Sequence, residues 1–216
     1  MVYGLTHQIN TFDPLYIQFG HLGHLFRTAA GIEGFGNKVS VFLKGPGWSP
    51  GKPRLGDLKD IPVVERPVNV YNPAIAGSLK LYIALNFMAV FTPFMVVLLF
   101  AEEYLNAAVV AFLSVFVVYT CSSFGFIFDR KPFALFAEGL RLLIGINATL
   151  LGAFGYADFL LPLAVRGEIL SQVLLGFASF FGVCLLFVFF RGFVTKSPLG
   201  EATESLRPRH VLKKID

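Results

Sequence analysis

The sequence predicts an all-α fold: a polytopic membrane bundle of about four transmembrane helices, preceded by an amphipathic, turn-rich cytosolic segment. Three observations lead there. Of 216 residues, 55% are hydrophobic and only 15% charged, with a mean hydropathy of +0.67, whereas a soluble domain carries about 25% charged residues. The apolar residues concentrate after residue 78, in runs that meet the length of about 20 residues a helix needs to cross the hydrocarbon core. The basic residues fall almost entirely on one side of those runs. Together these exclude a single soluble domain, a disordered chain and a disulfide-stapled secreted domain. Cys121 and Cys184 lie inside apolar runs, where cysteine acts as a small hydrophobe.

Residues 1–78 form the cytosolic segment. Asp13-Pro14 is a helix start, a capping acid followed by proline at the first helical position. Leu15, Phe19, Leu22 and Phe26 then recur at helical spacing as one narrow apolar stripe, with His21, His24 and Gln18 on roughly the opposite face. Such a helix is expected to lie against the membrane surface or a partner domain. His21 and His24 stand one turn apart, as metal ligands can, but a site needs a third ligand, and the other histidines are His7 and His210. No metal ligand is therefore assigned. Gly45 to Pro53 resembles a phosphate loop only superficially: five residues separate Gly45 from Gly51, and Pro53 stands where a Ser or Thr would bind magnesium. It is expected to be a rigid turn docking Trp48 on the membrane interface or another domain, with Gly56 to Pro73 as a linker.

The membrane bundle occupies 79–190, with spans at about 81–101, 107–128, 133–156 and 169–190, and a basic cytosolic tail follows at 191–216. Glu102-Glu103 closes the first span, Asp129-Arg130-Lys131-Pro132 the second, and Arg191 the last. Pro93 removes one backbone donor from the first span and is expected to kink it. Ala148 with Gly152, and Ala178 with Gly182, are small residues four apart that suit close helix packing.

With four spans, residues 1–80, the 129–132 loop and the tail share one side and hold eight, two and six Lys or Arg. The opposite side holds only Arg166. Sixteen against one places both termini in the cytosol by the positive-inside rule, and three spans would break the pattern. The net charge of +4 thus reports topology and gives no reason to invoke nucleic acid. The first apolar run begins some eighty residues in, so no cleavable signal peptide is expected.

Glu138 and Arg141 are ionisable residues inside the third span, where each costs about 2.5–3.5 kcal/mol on insertion scales. Three residues apart, they share a helix face. Either they pair near the cytosolic end with Arg141 snorkelling outward, or they form a polar lining for a headgroup or substrate.

Val2-Tyr3-Gly4-Leu5-Thr6-His7, Ile9-Asn10-Thr11-Phe12, Gln18-Phe19, His21-Leu22, Asn37-Lys38 and the stretch from Phe42 through Lys44-Gly45-Pro46-Gly47-Trp48 to Gly56 resemble the carboxyl-terminal part of the alkylglycerol monooxygenase family. Glu102-Glu103, Gly125-Phe126, Asp129 to Pro132 and Glu138-Gly139-Leu140-Arg141 are similar too, so the resemblance covers about residues 2–142 and continues only as a hydrophobic pattern. It implies an integral endoplasmic-reticulum protein of the fatty acid hydroxylase superfamily. Such enzymes use a di-iron centre, oxygen and tetrahydrobiopterin to cleave ether lipids, the irons being held by histidine boxes of the types H-x-x-x-H and H-x-x-H-H.

This chain departs from that pattern. Its four histidines include neither box, so no iron, pterin or catalytic residue is transferred to it. The resemblance implies a fragment, partial gene product or truncated isoform. The resulting expectation is the membrane module of an ether-lipid-cleaving enzyme, inactive alone, with the lipid bilayer, ether lipids and a missing or separate di-iron domain as partners. A non-catalytic partner-binding or regulatory membrane protein is the alternative, and a small transporter is a third. Lys213-Lys214, third and fourth from the end, resemble the dilysine signal that returns membrane proteins to the endoplasmic reticulum.

Overall fold

The computed structural model describes residues 9–45, 47–60, 70–99, 106–154 and 168–196. His7, Glu102, Glu103, Arg166, His210, the Lys213-Lys214 pair and residues 61–69 of the expected linker lie outside the described residues. Among the described residues the secondary structure is helical, with no strand: α1 Pro14–Gly31, α2 Phe35–Leu43, a 3-10 turn at Leu58–Asp60, α3 Gly77–Leu99, α4 Ala107–Phe128, α5 Ala134–Ala153 and α6 Glu168–Lys196. Gly77–Leu99, Ala107–Phe128, Ala134–Ala153 and Leu170–Gly192 are each long and apolar enough to cross a membrane. The all-α membrane class read from the sequence is the architecture observed.

The chain divides into two compact units, Met1–Phe87 with Cys121–Lys131, and Met88–Thr120 with Pro132–Asp216. In the first unit, Asp13 caps α1 by accepting from the Leu15 amide at 3.1 Å, and Pro14 opens the helix. α1 packs on α2 around Ala29, Val41 and Trp48, with Leu25 and Ile32 at the margin. Trp48 is 8% exposed, and the Lys44 ammonium lies 4.1 Å from its ring centroid. The expected docking of Trp48 on a membrane interface or separate domain is therefore corrected: its indole closes the α1–α2 hairpin. That hairpin is too small to form a core without one large aromatic.

The loop after α2 folds back on itself. Gly45 donates to the Arg54 carbonyl, Trp48 to Gly45, Lys52 to Ser49 and Gly56 to Pro53, at 2.9–3.0 Å. Gly56 has φ +83°, and a Cβ there would come within 2.7 Å of the Gly47 carbonyl oxygen. These four amides are already used within the loop and are not free to cradle a phosphate.

In the second unit α5 packs along α6. Gly145 is a point of tight packing, since a Cβ there would meet the Phe181 ring at 2.9 Å and Phe116 at 3.3 Å. A Cβ on Gly182 would meet nothing within 4 Å, so the Ala178–Gly182 pattern does not mark a close crossing among the described residues. α3 runs through Pro93 as one helix.

Six polar side chains in the spans are satisfied within their own helices. Asn86, Ser114, Thr120, Asn147, Thr149 and Ser179 each donate to a backbone carbonyl four residues back, at 2.8–3.1 Å. In hydrocarbon, where water cannot help, this is the local way to carry a hydroxyl or amide.

Candidate functional site

The sequence singled out Glu138 and Arg141, and the structure brings them together in the second turn of α5 and the turn after it. Arg141 Nε donates to Glu138 Oε2 at 2.9 Å and Nη2 to Oε1 at 2.5 Å, a two-pronged guanidinium–carboxylate contact. Both residues are 0% exposed. The snorkelling expected for Arg141 is therefore corrected: its guanidinium turns sideways onto Glu138. The three-residue spacing puts the two side chains within reach on one face of the helix.

The surroundings of the pair are close-packed. The Phe181 ring of α6 lies 5.9 Å from Arg141 Cζ, within reach of a cation–π attraction. Leu142 beside the pair is also fully buried. Tyr119 of α4 donates its hydroxyl to the Ala137 carbonyl at 2.8 Å, tying that helix to the turn before Glu138. What this arrangement does chemically is neutralise two charges inside a span and lock α5 by a polar contact. Its fully buried heads offer no open lining to a ligand.

A second polar centre lies at the end of α4, and sequence reasoning missed it. In the sequence Asp129 reads only as part of the stop signal after the second span. Its carboxylate accepts from the Thr11 hydroxyl, from the Phe12 amide at 2.9 Å and from the Tyr71 hydroxyl at 3.1 Å. The Phe12 ring lies 5.4 Å from that of Phe128 and 5.5 Å from that of Tyr71. Partial burial, then the bond to Asp129 and its charge, push the Tyr71 hydroxyl above its ordinary pKa.

The aim of Asp129 follows from how α4 ends. Arg130 takes φ +56°, while Lys131 donates to the Phe126 carbonyl and Arg130 to Ile127, the paired bonds of a left-handed helix stop. Gly125 makes the approach possible, because a Cβ there would strike the Phe12 carbonyl oxygen at 2.6 Å. A signal was available in the sequence: an acid at a helix C-terminus opposes the helix dipole and needs donors from elsewhere.

His21 and His24 are exposed on α1, their ring centroids 6.4 Å apart. Among the described residues, no group of three His, Cys, Asp or Glu converges as metal ligands would.

The fold and these two polar centres define the class: a multi-pass helical membrane protein with one sealed intramembrane ion pair among the described residues. The chain is similar to the alkylglycerol monooxygenase of Xenopus tropicalis, 39% identical over 144 residues that make up 67% of this chain and 32% of that protein. It is similar to the alkylglycerol monooxygenase of Homo sapiens at 37% over 183 residues, 82% of this chain and 39% of the other. The protein of that name from Danio rerio is 36% identical over 162 residues, 75% and 35% of the two chains. The chain is a homologue of the alkylglycerol monooxygenases, and spans about a third of the length of these relatives. The human match extends beyond the residues 2–142 on which the resemblance was first read. No protein-family profile matches the chain, and no solved structure does.

Proposed function

We propose that this chain serves as the carboxyl-terminal membrane module of an alkylglycerol monooxygenase-like enzyme that cleaves ether lipids. It would supply helices and a lipid-facing surface beside a di-iron domain carried by other sequence. The observation that carries this reading is the 36–39% identity over two thirds or more of the chain, against about a third of each relative. On this reading the module does not oxidise glyceryl ethers by itself. The described residues do not fit a di-iron centre: His21 and His24 are an exposed pair with no third ligand converging on them. On this reading iron and tetrahydrobiopterin belong to the remainder of such an enzyme. The enzyme would reside in the endoplasmic-reticulum membrane with both termini of this chain in the cytosol, where Lys213 and Lys214 could be read as a retrieval signal.

The test is a chimera. The segment of the human relative that matches this chain is replaced by the chain itself, and release of aldehyde from an alkylglycerol is measured with iron and tetrahydrobiopterin supplied. Activity of the chimera, with none from the purified chain alone, is the expected result. Turnover by the chain alone overturns the reading, and so does an inactive chimera that still folds and inserts. The inactive chimera would favour the second reading, a non-catalytic membrane protein that binds a partner.

A further inference from the structure

We propose that α1 lies in the plane of the membrane, with Leu15, Phe19, Leu22 and Phe26 inserted among the acyl chains at the level where α4 ends. These four side chains are 41%, 59%, 46% and 65% exposed. They are open although α1 has a packing partner, because the hairpin core uses the adjoining face of the helix, through Leu25 and Ala29, with Ile32 just after it. α2 widens the apolar patch: Phe42, itself exposed, meets Phe26 at 5.2 Å between centroids, and Leu43 is exposed beside it. A row of large apolar side chains left open by a hairpin that has its own core points to an apolar medium beyond the chain.

The Asp129 centre identifies that medium as lipid. Phe128 is the last residue of a 22-residue apolar helix, so its ring marks the edge of the hydrocarbon core. The Phe12 ring rests on it, the Phe12 amide bonds the next residue of the span end, and α1 begins two residues later. Tyr71, six residues ahead of α3, bonds the same carboxylate. α1 is thus held at the rim of the bilayer by Thr11 and Phe12 just ahead of it, with His21 and His24 on the side away from the stripe. An in-plane helix with an apolar face in the interface and a polar face in water satisfies both faces.

The test uses the whole chain in phosphatidylcholine–phosphatidylserine vesicles. Single cysteines replace Leu15, Phe19, Leu22, Phe26, His21 or His24 in a background carrying Cys121→Ala and Cys184→Ala. Each is spin-labelled and exposed to oxygen, which partitions into lipid, and to a water-soluble nickel chelate. The oxygen-to-nickel accessibility ratio should be high at the four stripe positions and invert at the two histidine positions. Nickel access along the stripe would overturn the proposal by placing it in water. Low access to both reagents would overturn it too, by showing that a second copy or another protein covers the stripe. If the cysteine-free background fails to fold, Phe19→Trp with Trp48→Phe gives an independent measurement. Strong quenching by brominated phosphatidylcholine supports the proposal, and unquenched fluorescence rejects it.

Discussion

Asp129 and Glu138 stand nine residues apart in the chain and solve the same problem in opposite ways. Glu138, inside a span and fully buried, is matched by a cation that bonds both of its oxygens. Asp129, at the end of a span and only half-buried, is met by two hydroxyls and one backbone amide, none of them charged. The difference follows from where each carboxylate can reach water. A buried charge in an apolar setting needs an opposite charge, whereas one at the rim keeps part of its hydration and needs only donors. The first carboxylate cancels a charge within one helix; the second fastens chain segments that are far apart in sequence.

The contrast can be broken most severely at the buried pair. Glu138→Gln leaves the Arg141 charge without its ion partner and should cost about 3–5 kcal/mol, read as a lower midpoint in thermal unfolding of the detergent-solubilised protein. Replacing both, Glu138→Leu with Arg141→Met, should recover most of that loss, since well-packed apolar residues often equal a buried ion pair. A double variant no better than the single one would mean that the pair does more than cancel its own charges.

Next in size is Gly125→Ala at the Asp129 centre. The added Cβ falls 2.6 Å from the Phe12 carbonyl oxygen and 2.8 Å from Asp13 Cα, both backbone atoms, so the segment before α1 must move. A loss of about 1–3 kcal/mol is expected. Gly139→Ala is the matched control: its nearest neighbour would be Leu185 Cδ1 at 3.9 Å, and it should be neutral or slightly stabilising. Equal effects from the two would show that the close approach at Gly125 is not what the substitution disturbs.

The smallest effect is at Tyr71. Tyr71→Phe removes one hydrogen bond and should cost about 0.5–1.5 kcal/mol near neutral pH. Because the folded protein holds the Tyr71 proton more tightly than the unfolded chain, its contribution is complete below the ordinary tyrosine pKa of about 10 and is lost as pH rises through the higher folded value. Stability measured against pH should therefore fall in alkali more steeply for the unmodified protein than for Tyr71→Phe. Parallel curves would remove Tyr71 from the role assigned to it.

Features set by neighbouring residues were legible in the sequence. Length and apolarity marked the membrane helices, Asp13-Pro14 marked the start of α1, and a spacing of three marked Glu138 with Arg141. The Asp129 centre was not legible, because its partners Thr11, Phe12 and Tyr71 lie 118, 117 and 58 residues away in sequence, and no local period records such a contact. Trp48 was misplaced for a related reason: an aromatic in a Pro- and Gly-rich turn reads as exposed until α1 and α2 are seen to need it. Gly125 and Gly145 carry the close approaches rather than Gly182, since what a glycine admits depends on the chain it faces.

The bond from Thr11 to Asp129 also imposes an order on synthesis. A chain grows from its amino terminus at about 5–20 residues per second. The α1–α2 hairpin, whose contacts are local, is complete as a sequence when the Trp48 loop has been made. Asp129 arrives 118 residues after Thr11, and α4 lies between them and must be made first. The start of α1 therefore cannot be fastened until the second span has been synthesised. For that interval the hairpin is held by its own core of Ala29, Val41 and Trp48, and its start is fastened to the end of the second span only once that span exists.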